Sequence, residues 1–250
     1  MVALCAATMF AGAVDAVGGG GGLITVPALL AAGLPPHLAL GTNKGQSVFG
    51  SSAALTRYAH ANLVDRRVAM TAFPLAVAGS AAGAAAALAI RPDVLRPVVL
   101  VLLLLAAAVV LTVRPRDEGM ARGPSERRAE WIWGAAALVI GAYDGFFGPG
   151  AGTFFILVLV GLLHRPLTRA TADAKVANFG SNLAALAYFS SRNSILWKLA
   201  IPMAGANLIG GFVGAHLAVR RGDRLIRAVV VLVVLGLVVK IARDLFTQGS

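Results

Sequence analysis

The chain has 250 residues, of which 58% are hydrophobic and only 13% are charged, and its mean hydropathy is +0.80. A soluble domain of this length needs far more polar surface, so the composition excludes a soluble fold and indicates an integral membrane protein. The net charge of +11 does not indicate nucleic-acid binding, because 20 of the 22 Lys and Arg residues lie between or at the ends of apolar segments, without interleaved aromatic residues. The expected surroundings are therefore a lipid bilayer and no nucleic acid.

The apolar segments are long enough to span a bilayer, which takes about 20 helical residues. In chain order they cover residues 2–34, 38–60, 68–90, 94–113, 131–163, 168–190, 198–219 and 224–245. Their apolar runs do not alternate with polar residues, as barrel strands do, so the predicted fold class is an all-α polytopic membrane protein.

Two motifs occur twice along the chain, which indicates an internal duplication. The pattern Gly-Ala-x-Asp, followed by a glycine-rich cluster, is found at residues 12–22 and again at 141–152, and residues 46–55 resemble 176–185. Self-similarity of this kind is typical of repeated structural units. The predicted organisation is a first transmembrane repeat at 1–113, a basic linker loop at 114–130 and a second transmembrane repeat at 131–250.

The first segment of each repeat is too long for one span. As a continuous helix, a segment of this length reaches about 50 Å, whereas the hydrocarbon core is about 30 Å thick. Glycine is costly in a helix interior, so the five consecutive glycines at 18–22, and the cluster at 148–152, predict two half-helices in each segment. Broken helices at corresponding positions of two repeats are the best sequence indication of a transporter's substrate site.

Loop charges favour broken segments that turn back. If these segments cross the membrane, the loop Lys and Arg residues divide 12 to 8 between the two sides; if they return, the division is 14 to 6 and the repeats are inverted. Cytoplasmic loops carry an excess of Lys and Arg. The sharper division therefore favours inverted repeats, with the linker loop in the cytoplasm and both termini outside.

Two lysines lie inside apolar segments at corresponding positions, each on a polar stripe of one helix face. The stripes consist of Lys44, Ser47 and Ser51, and of Thr171, Lys175, Asn178 and Asn182. A lysine at membrane depth normally faces a cavity or pairs with an acid, and two such ammonium groups suit an anion. The alternative is that both lysines snorkel to the interface, with Thr42, Asn43 and Thr171 capping their helices.

The second half-helix of each broken segment adds backbone donors, because a helix N-terminus presents free N–H groups and the positive end of its dipole. Small residues let an oxyanion approach this backbone closely. The hydroxyls of Thr25 and Thr153 lie in the first turns. The residues predicted to bind the substrate are Gly19, Gly20, Gly21, Gly22, Thr25, Asn43, Lys44, Ser47, Ser51, Gly148, Gly150, Gly152, Thr153, Thr171, Lys175, Asn178 and Asn182.

Asp15 and Asp144 precede the two breaks, where a carboxylate at a helix C-terminus opposes the dipole. Two interpretations stay open: an acid that couples protons or orients a lysine, or a structural cap over the glycine turn. Asp173 lies off the lysine stripe and is predicted to serve the start of its helix. His216, alone on an apolar helix, is predicted to pack rather than bind metal. His, Cys and Met do not cluster, so no metal site and no cofactor is expected.

At these motifs the sequence resembles the sulfite exporter TauE/SafE family of bacterial membrane transporters. The resemblance rests on residues 15–27, 39–44, 141–153 and 170–182, and it covers nearly the whole chain. It implies a multi-pass carrier in the plasma membrane, built from duplicated halves, that exports small sulfur-containing anions such as sulfite or organosulfonates. Family members differ in substrate, so the resemblance does not identify the ion.

The predicted function is therefore secondary transport of a small anion, not enzymatic catalysis. A passive anion channel with the same lysines is an alternative, as is a carrier of a different small organic anion. A more distant alternative is a signalling receptor with a chromophore on one lysine. The sequence leaves open whether the chain forms a homodimer.

Overall fold

The computed structural model of the protein describes residues 1–112 and 124–222, and this part of the chain is helical without strands. Its helices are α1 Val2–Gly18, α2 Gly22–Ala31, α3 Pro36–His60, α4 Arg66–Ala89, α5 Pro92–Thr112, α6 Glu126–Phe146, α7 Ala151–Gly161, α8 Leu167–Ser191 and α9 Trp197–Arg221. The all-α prediction is confirmed here. The predicted segment 224–245 and most of the predicted linker loop lie outside the described residues, and α6 begins five residues before the predicted segment at 131.

Local sequence explains several helix starts. Proline is the first residue of α3 and of α5, where its missing N–H costs nothing and its fixed φ suits a helix. The Asp65 carboxylate caps α4 by accepting a hydrogen bond of 2.9 Å from the Arg67 N–H. Within the described ranges, α4 and α9 are by length and composition apolar enough to cross a membrane.

The chain leaves the helical conformation at both glycine-rich clusters. After α1, Gly19 adopts a left-handed backbone with φ of 78°, and α2 begins three residues later. Between α6 and α7, Gly148 and Gly150 have φ values of 99° and 85°. Side chains other than glycine rarely adopt such angles, so these glycines permit a turn that most residues would strain.

Each broken segment turns back on itself. Leu4 and Cys5, at the start of α1, pack in one apolar cluster with Leu29 and Leu34, at the end of α2. In the second broken segment, the ring of Trp133 near the start of α6 meets the ring of Phe155 in α7, with centroids 5.9 Å apart. The half-helices of each segment therefore run antiparallel and return to the side on which the segment began.

The two halves of the chain are interlocked through small-residue faces. Gly210 and Gly214 place α9 directly against the backbone of α1, and Gly79 and Gly83 place α4 in the same way against α6. A Cβ at any of these positions would overlap a carbonyl group of the facing helix, so these Gly-x3-Gly pairs allow the close packing. Each broken segment is therefore held by a helix of the other half.

Two ends of the molecule result from this arrangement. The linker end comprises the α3–α4 and α7–α8 connections with the start of α6, and the terminus end comprises the start of α1 with the α2–α3 and α8–α9 connections. At the linker end, Arg165 donates to Asp65 and to Asp173, each at 2.9 Å. At the terminus end, the Leu196 N–H donates to Thr42 Oγ1 at 3.0 Å.

The predicted helix-start role of Asp173 is wrong. This residue lies in the second turn of α8, whose N-cap is Pro166 without a side-chain cap. Its carboxylate accepts from Arg165 and, at 2.8 Å, from the backbone N–H of Asp65. Asp173 therefore fastens the α3–α4 connection of one half to α8 of the other, a contact that spacing along one helix could not indicate.

Candidate functional site

Two ion pairs join the halves of the chain at the centre of the molecule. Lys44 in α3 donates to Asp144 in α6 at 2.7 Å, and Lys175 in α8 donates to Asp15 in α1 at 2.8 Å. The side chain of Lys44 is 1% exposed and that of Lys175 is 0% exposed. Both lysines are thus buried, and the snorkelling alternative is wrong. An unpaired charge at such depth is very costly, so each aspartate makes the burial of one lysine tolerable.

Asp144 is fully engaged by its neighbours. One carboxylate oxygen accepts from the Lys44 ammonium, and the other accepts a short hydrogen bond from the Ser181 hydroxyl. Lys44 also donates to the side-chain oxygen of Asn182 at 3.0 Å. Hydrogen bonds to charged groups are the strong ones in proteins, so this set holds the Lys44 ammonium in one position.

Asp15 also has two partners, and its position combines the two interpretations made from the sequence. One oxygen pairs with Lys175, and the other accepts from the backbone N–H of Gly21 at 3.3 Å, immediately before α2. A carboxylate is favoured at a helix N-terminus by the free N–H groups and the dipole. Asp15 therefore orients a lysine and also caps the following half-helix, and its side chain is 23% exposed.

A small polar cavity of about 20 Å³ lies between the two breaks, α3 and α8. A volume of this size has room for roughly one water molecule. The residues that line it are Ala11, Asp15, Gly19, Gly21, Gly22, Thr25, Asn43, Lys44, Gln46, Ser47, Asp144, Gly148, Gly152, Asn178, Asn182 and Asn207. Most of the residues predicted to bind a substrate thus line one cavity.

Several predicted site residues lie away from this cavity in the described conformation. The hydroxyls of Ser51 and Thr171 donate to carbonyl groups of their own helices, at 3.1 and 2.9 Å, so Thr171 is not a helix cap. The Thr153 hydroxyl donates to the Gly18 carbonyl at 2.7 Å and so ties the two breaks together. The remaining residues outside the lining are Gly20, Gly150 and Lys175.

The glycines of the two breaks serve mainly to let them meet. The backbones of Gly19 and Gly152 touch, and a Cβ on either residue would overlap the other. At Gly148, a Cβ would stand 3.0 Å from the Lys44 ammonium nitrogen. These glycines therefore provide room for backbone and for a lysine head group, a reason that differs from the predicted approach of an oxyanion.

Sequence reasoning missed an amide cluster beside the α2 N-terminus. Asn43 Oδ1 accepts from the Thr25 hydroxyl at 2.5 Å and from Gln46 at 2.9 Å, and Asn207 of α9 donates to the Gln46 side chain. Asn43 lies within α3, which begins at Pro36, so neither it nor Thr42 caps that helix. The sequence could have indicated a buried partner for Asn207, because a lone amide in an apolar membrane segment is energetically unfavourable unless it is hydrogen-bonded.

One side chain of the cavity has an open hydrogen-bonding position. The Oδ1 atom of Asn178 is buried without a hydrogen-bond partner, although the residue faces the cavity. A buried polar atom left unpaired costs about 1–3 kcal/mol. This oxygen is an acceptor, so it can receive a hydrogen bond from a donor that enters the cavity but cannot donate one to an anion.

The charges of the site come from two lysines and two aspartates. No three His, Cys, Asp or Glu side chains gather into a metal-binding group in residues 1–112 and 124–222. The cavity thus offers one ammonium, amides, hydroxyls and a helix N-terminus to a ligand. Such a set can hold a small anion by charge and hydrogen bonds without any covalent step.

Comparison with known proteins places the chain among membrane transporters. The sequence profile of the sulfite exporter TauE/SafE family matches residues 4–241. A probable membrane transporter protein, ORF9, of a Sinorhizobium species is 37% identical over 242 residues, covering 96% of this chain and 92% of the relative. A probable membrane transporter protein of Haemophilus influenzae is 36% identical, with coverages of 92% and 90%, and YfcA of Escherichia coli K12, also named a probable membrane transporter protein, is 34% identical, with coverages of 90% and 83%. No solved structure matches.

Proposed function

The chain belongs to the sulfite exporter TauE/SafE family of membrane transporters, and from this premise we propose that it is a secondary carrier exporting small sulfur-containing anions. Sulfite and organosulfonates are the substrate class. The substrate site is the central cavity, in which Lys44 supplies positive charge and Asn178, Asn182 and Ser47 supply hydrogen bonds. Lys175, directly behind Asp15, adds a second positive charge.

The observation that carries this proposal is the burial of both lysines at the meeting point of the two breaks. A protein does not bury two ammonium groups for stability alone, because well-packed apolar residues often serve as well or better. Ionisable groups inside membrane segments usually mark substrate or ion pathways.

The small volume of the cavity favours a carrier over a channel. With room for about one water, the space of about 20 Å³ must widen before it admits a sulfite or sulfonate group. A carrier rearranges around its site as it alternates between two openings, whereas a conducting pore needs a continuous path. The interlocked halves provide two bodies that can rock against each other.

We further propose an inverted duplication with the linker end in the cytoplasm. The antiparallel half-helices support broken segments that return, for which the loop Lys and Arg residues divide 14 to 6. The side with 14 contains the linker loop and is cytoplasmic by the positive-inside rule. The protein then crosses the inner membrane several times, with both termini outside.

Binding and transport tests address the lysine directly. Thermal-shift measurements on purified protein with sulfite, thiosulfate, sulfoacetate, sulfate and carboxylates identify the preferred anion, and flux from loaded vesicles follows with that anion. Lys44→Met should abolish flux. Lys198→Met is the matched control, because Lys198 is an exposed lysine at the start of α9, and it should transport like the wild type. Equal flux in both variants would refute the proposal.

A second variant distinguishes a loss of anion binding from a loss of the fold. Asn178→Ala removes an atom that has no partner in the empty site, so the melting temperature should stay unchanged or rise. The Asn178 amide N–H, and not its unpaired oxygen, would donate to the anion, so the dissociation constant of the anion should increase about tenfold, the value of one hydrogen bond to a charged group. Unchanged affinity would exclude Asn178 from the site. Counterflow driven by substrate on the opposite side distinguishes the carrier from a channel, which gives none.

A further inference from the structure

The charges around the cavity are already balanced before any ligand enters. Lys44 and Lys175 face Asp144 and Asp15, so the described site has two positive and two negative side chains. Addition of a monoanion leaves one uncompensated negative charge in a buried position. An unpaired buried charge is costly, and such sites usually respond by binding or releasing a proton. Anion binding therefore requires that one carboxylate of the site be neutralised.

The two carboxylates differ in how firmly they are held in the ionised form. Asp144 accepts hydrogen bonds on both oxygens from the side chains of Lys44 and Ser181, and it is buried. Asp15 has Lys175 on one oxygen and only the 3.3 Å contact with the Gly21 N–H on the other, and it retains 23% exposure. Hydrogen bonds to the charged form favour that form. Asp15 is thus the carboxylate that a proton reaches and neutralises more readily.

The sequence explains this difference between the halves. Lys44 and Lys175 are 131 residues apart, and the residue 131 positions before Ser181 is Gly50. Gly50 has no hydroxyl to offer Asp15, and a side chain could not fit there because a Cβ would overlap the Asn207 side chain. At the offset of 130 that relates residues 46–55 to 176–185, the counterpart of Ser181 is Ser51, whose hydroxyl donates to the Val48 carbonyl at 3.1 Å. At either offset, Asp15 has no hydroxyl donor that corresponds to Ser181.

Asp15 also occupies a place that suits the substrate. Its carboxylate lines the cavity and accepts from Gly21 at the N-terminus of α2, where a free anion would otherwise bind. We propose that Asp15 is an internal substitute for the substrate anion: when the anion binds, Asp15 takes up one proton from water and releases the Gly21 N–H to the anion. This inference rests on the proposed function, and it names the coupling residue of the same site.

The proton count balances without another reactant. One O–H bond forms on the Asp15 carboxylate, and Lys175 keeps its charge. The site then contains two ammonium groups, the Asp144 carboxylate and the bound monoanion, with no net charge. Among the described residues, the other titratable group near Asp15 is Tyr58 of α3, whose hydroxyl donates to the Ala16 carbonyl at 2.9 Å; α2, α7 and α9 bring no charged side chain to the cavity.

Proton uptake on binding tests the inference apart from transport. Purified full-length protein in a weakly buffered solution is titrated with methanesulfonate and with ethanesulfonate, two monoanions whose charges do not change near neutral pH, while an indicator dye records protons. The wild type should take up one proton per bound anion. By linkage, its dissociation constant should rise about tenfold per pH unit wherever free Asp15 is ionised.

Two asparagine variants test the charge count. Asp15→Asn should bind the anion with no proton uptake and with an affinity independent of pH, and a retained melting transition shows that it is folded. Asp144→Asn also leaves two ammonium groups facing one carboxylate, so by the same count it should bind the anion without requiring a proton on Asp15. Binding without uptake in the wild type, or uptake retained in Asp15→Asn, overturns the inference alone. If neither anion binds the wild type, the proposed function fails as well.

Discussion

The linker end and the terminus end of the molecule are fastened at corresponding positions by different chemistry. At both ends, the residue just before a long helix donates its backbone N–H to a side chain one turn into another helix. At the terminus end the acceptor is the neutral Thr42 hydroxyl; at the linker end, 131 residues later in the chain, it is the Asp173 carboxylate. A carrier with one opening at each end would therefore have to break unequal contacts.

The ion pairs of Arg165 add to this difference. Arg165 bridges Asp65 and Asp173, whereas the residue 131 positions earlier is Leu34, which packs in an apolar cluster instead. Charged networks respond to pH and salt, and a neutral hydrogen bond does not. The comparison teaches that the same backbone contact can be made sensitive to its surroundings at one end only.

Replacement of Arg165 should cause the largest loss of stability among the changes predicted for the two ends. Arg165→Met leaves the Asp173 carboxylate, which is 0% exposed, without its counter-ion. The loss of one partner from a buried pair costs about 3–5 kcal/mol, although the partial exposure of Arg165 places the expected loss of unfolding free energy near the lower value. Thermal unfolding in detergent measures it. Arg169→Met is the matched control on the exposed side of α8 and should change little; equal stability of the two variants would contradict the prediction.

A double substitution sharpens the comparison by making the two ends more alike. Arg165→Leu with Asp173→Thr gives the linker end two of the residues found at the terminus end, while Asp65 stays in the position that corresponds to Leu196. The threonine hydroxyl should accept from the Asp65 N–H, so the double variant should be more stable than Arg165→Leu alone. Melting temperatures of the single and double variants decide this, and a double variant as unstable as the single one would show that the contacts are not equivalent.

The neutral hydrogen bond between the Leu196 N–H and Thr42 should contribute less to the free energy of unfolding than the Arg165 ion pairs. Thr42→Val keeps the shape of the side chain but leaves the Leu196 N–H without its acceptor. The expected loss of unfolding free energy is about 1 kcal/mol. Thr56→Val, at an exposed position of the same helix, is the control and should stay within about 0.5 kcal/mol of the wild type. A larger loss at the control position would contradict the assignment.

The smallest predicted effect is the change of protein stability with pH that comes from Asp65 at the linker end. Burial alone would raise the pKa of Asp65, but hydrogen bonds from Arg165 and the Arg67 N–H, with the charge of Arg165, hold this pKa below its ordinary value. A carboxylate with a lowered pKa in the folded state stabilises the protein above its unfolded pKa, and this contribution is lost as the pH falls below about 4. Asp65→Asn should flatten the acid limb of the melting-temperature profile. Thr42→Val should leave it unchanged, and a flattened limb there would refute the contrast.

Much of the helical framework could be predicted from hydropathy and helix signals, because each is a local property. The polar stripe of Lys44 was also readable, since residues at i, i+3 and i+7 share a helix face. The hydrogen-bond partners of single hydroxyl groups could not be predicted, because the Ser51 and Thr171 hydroxyls donate to carbonyl groups of their own helices rather than to the cavity. A threonine or serine in a helix has both options, and only the neighbouring helix decides between them.

The sequence by itself determined the membrane class, the positions of the glycine clusters, and the presence of two lysines and two aspartates at membrane depth. Only the tertiary structure decided that each lysine pairs with the aspartate of the opposite half, across 100 residues for Lys44 and Asp144 and across 160 for Lys175 and Asp15. Helical spacing relates residues within about two turns. Partners so distant in the chain are chosen by which helices pack together, and here the close glycine contacts of α1 with α9 and of α6 with α4 make that choice.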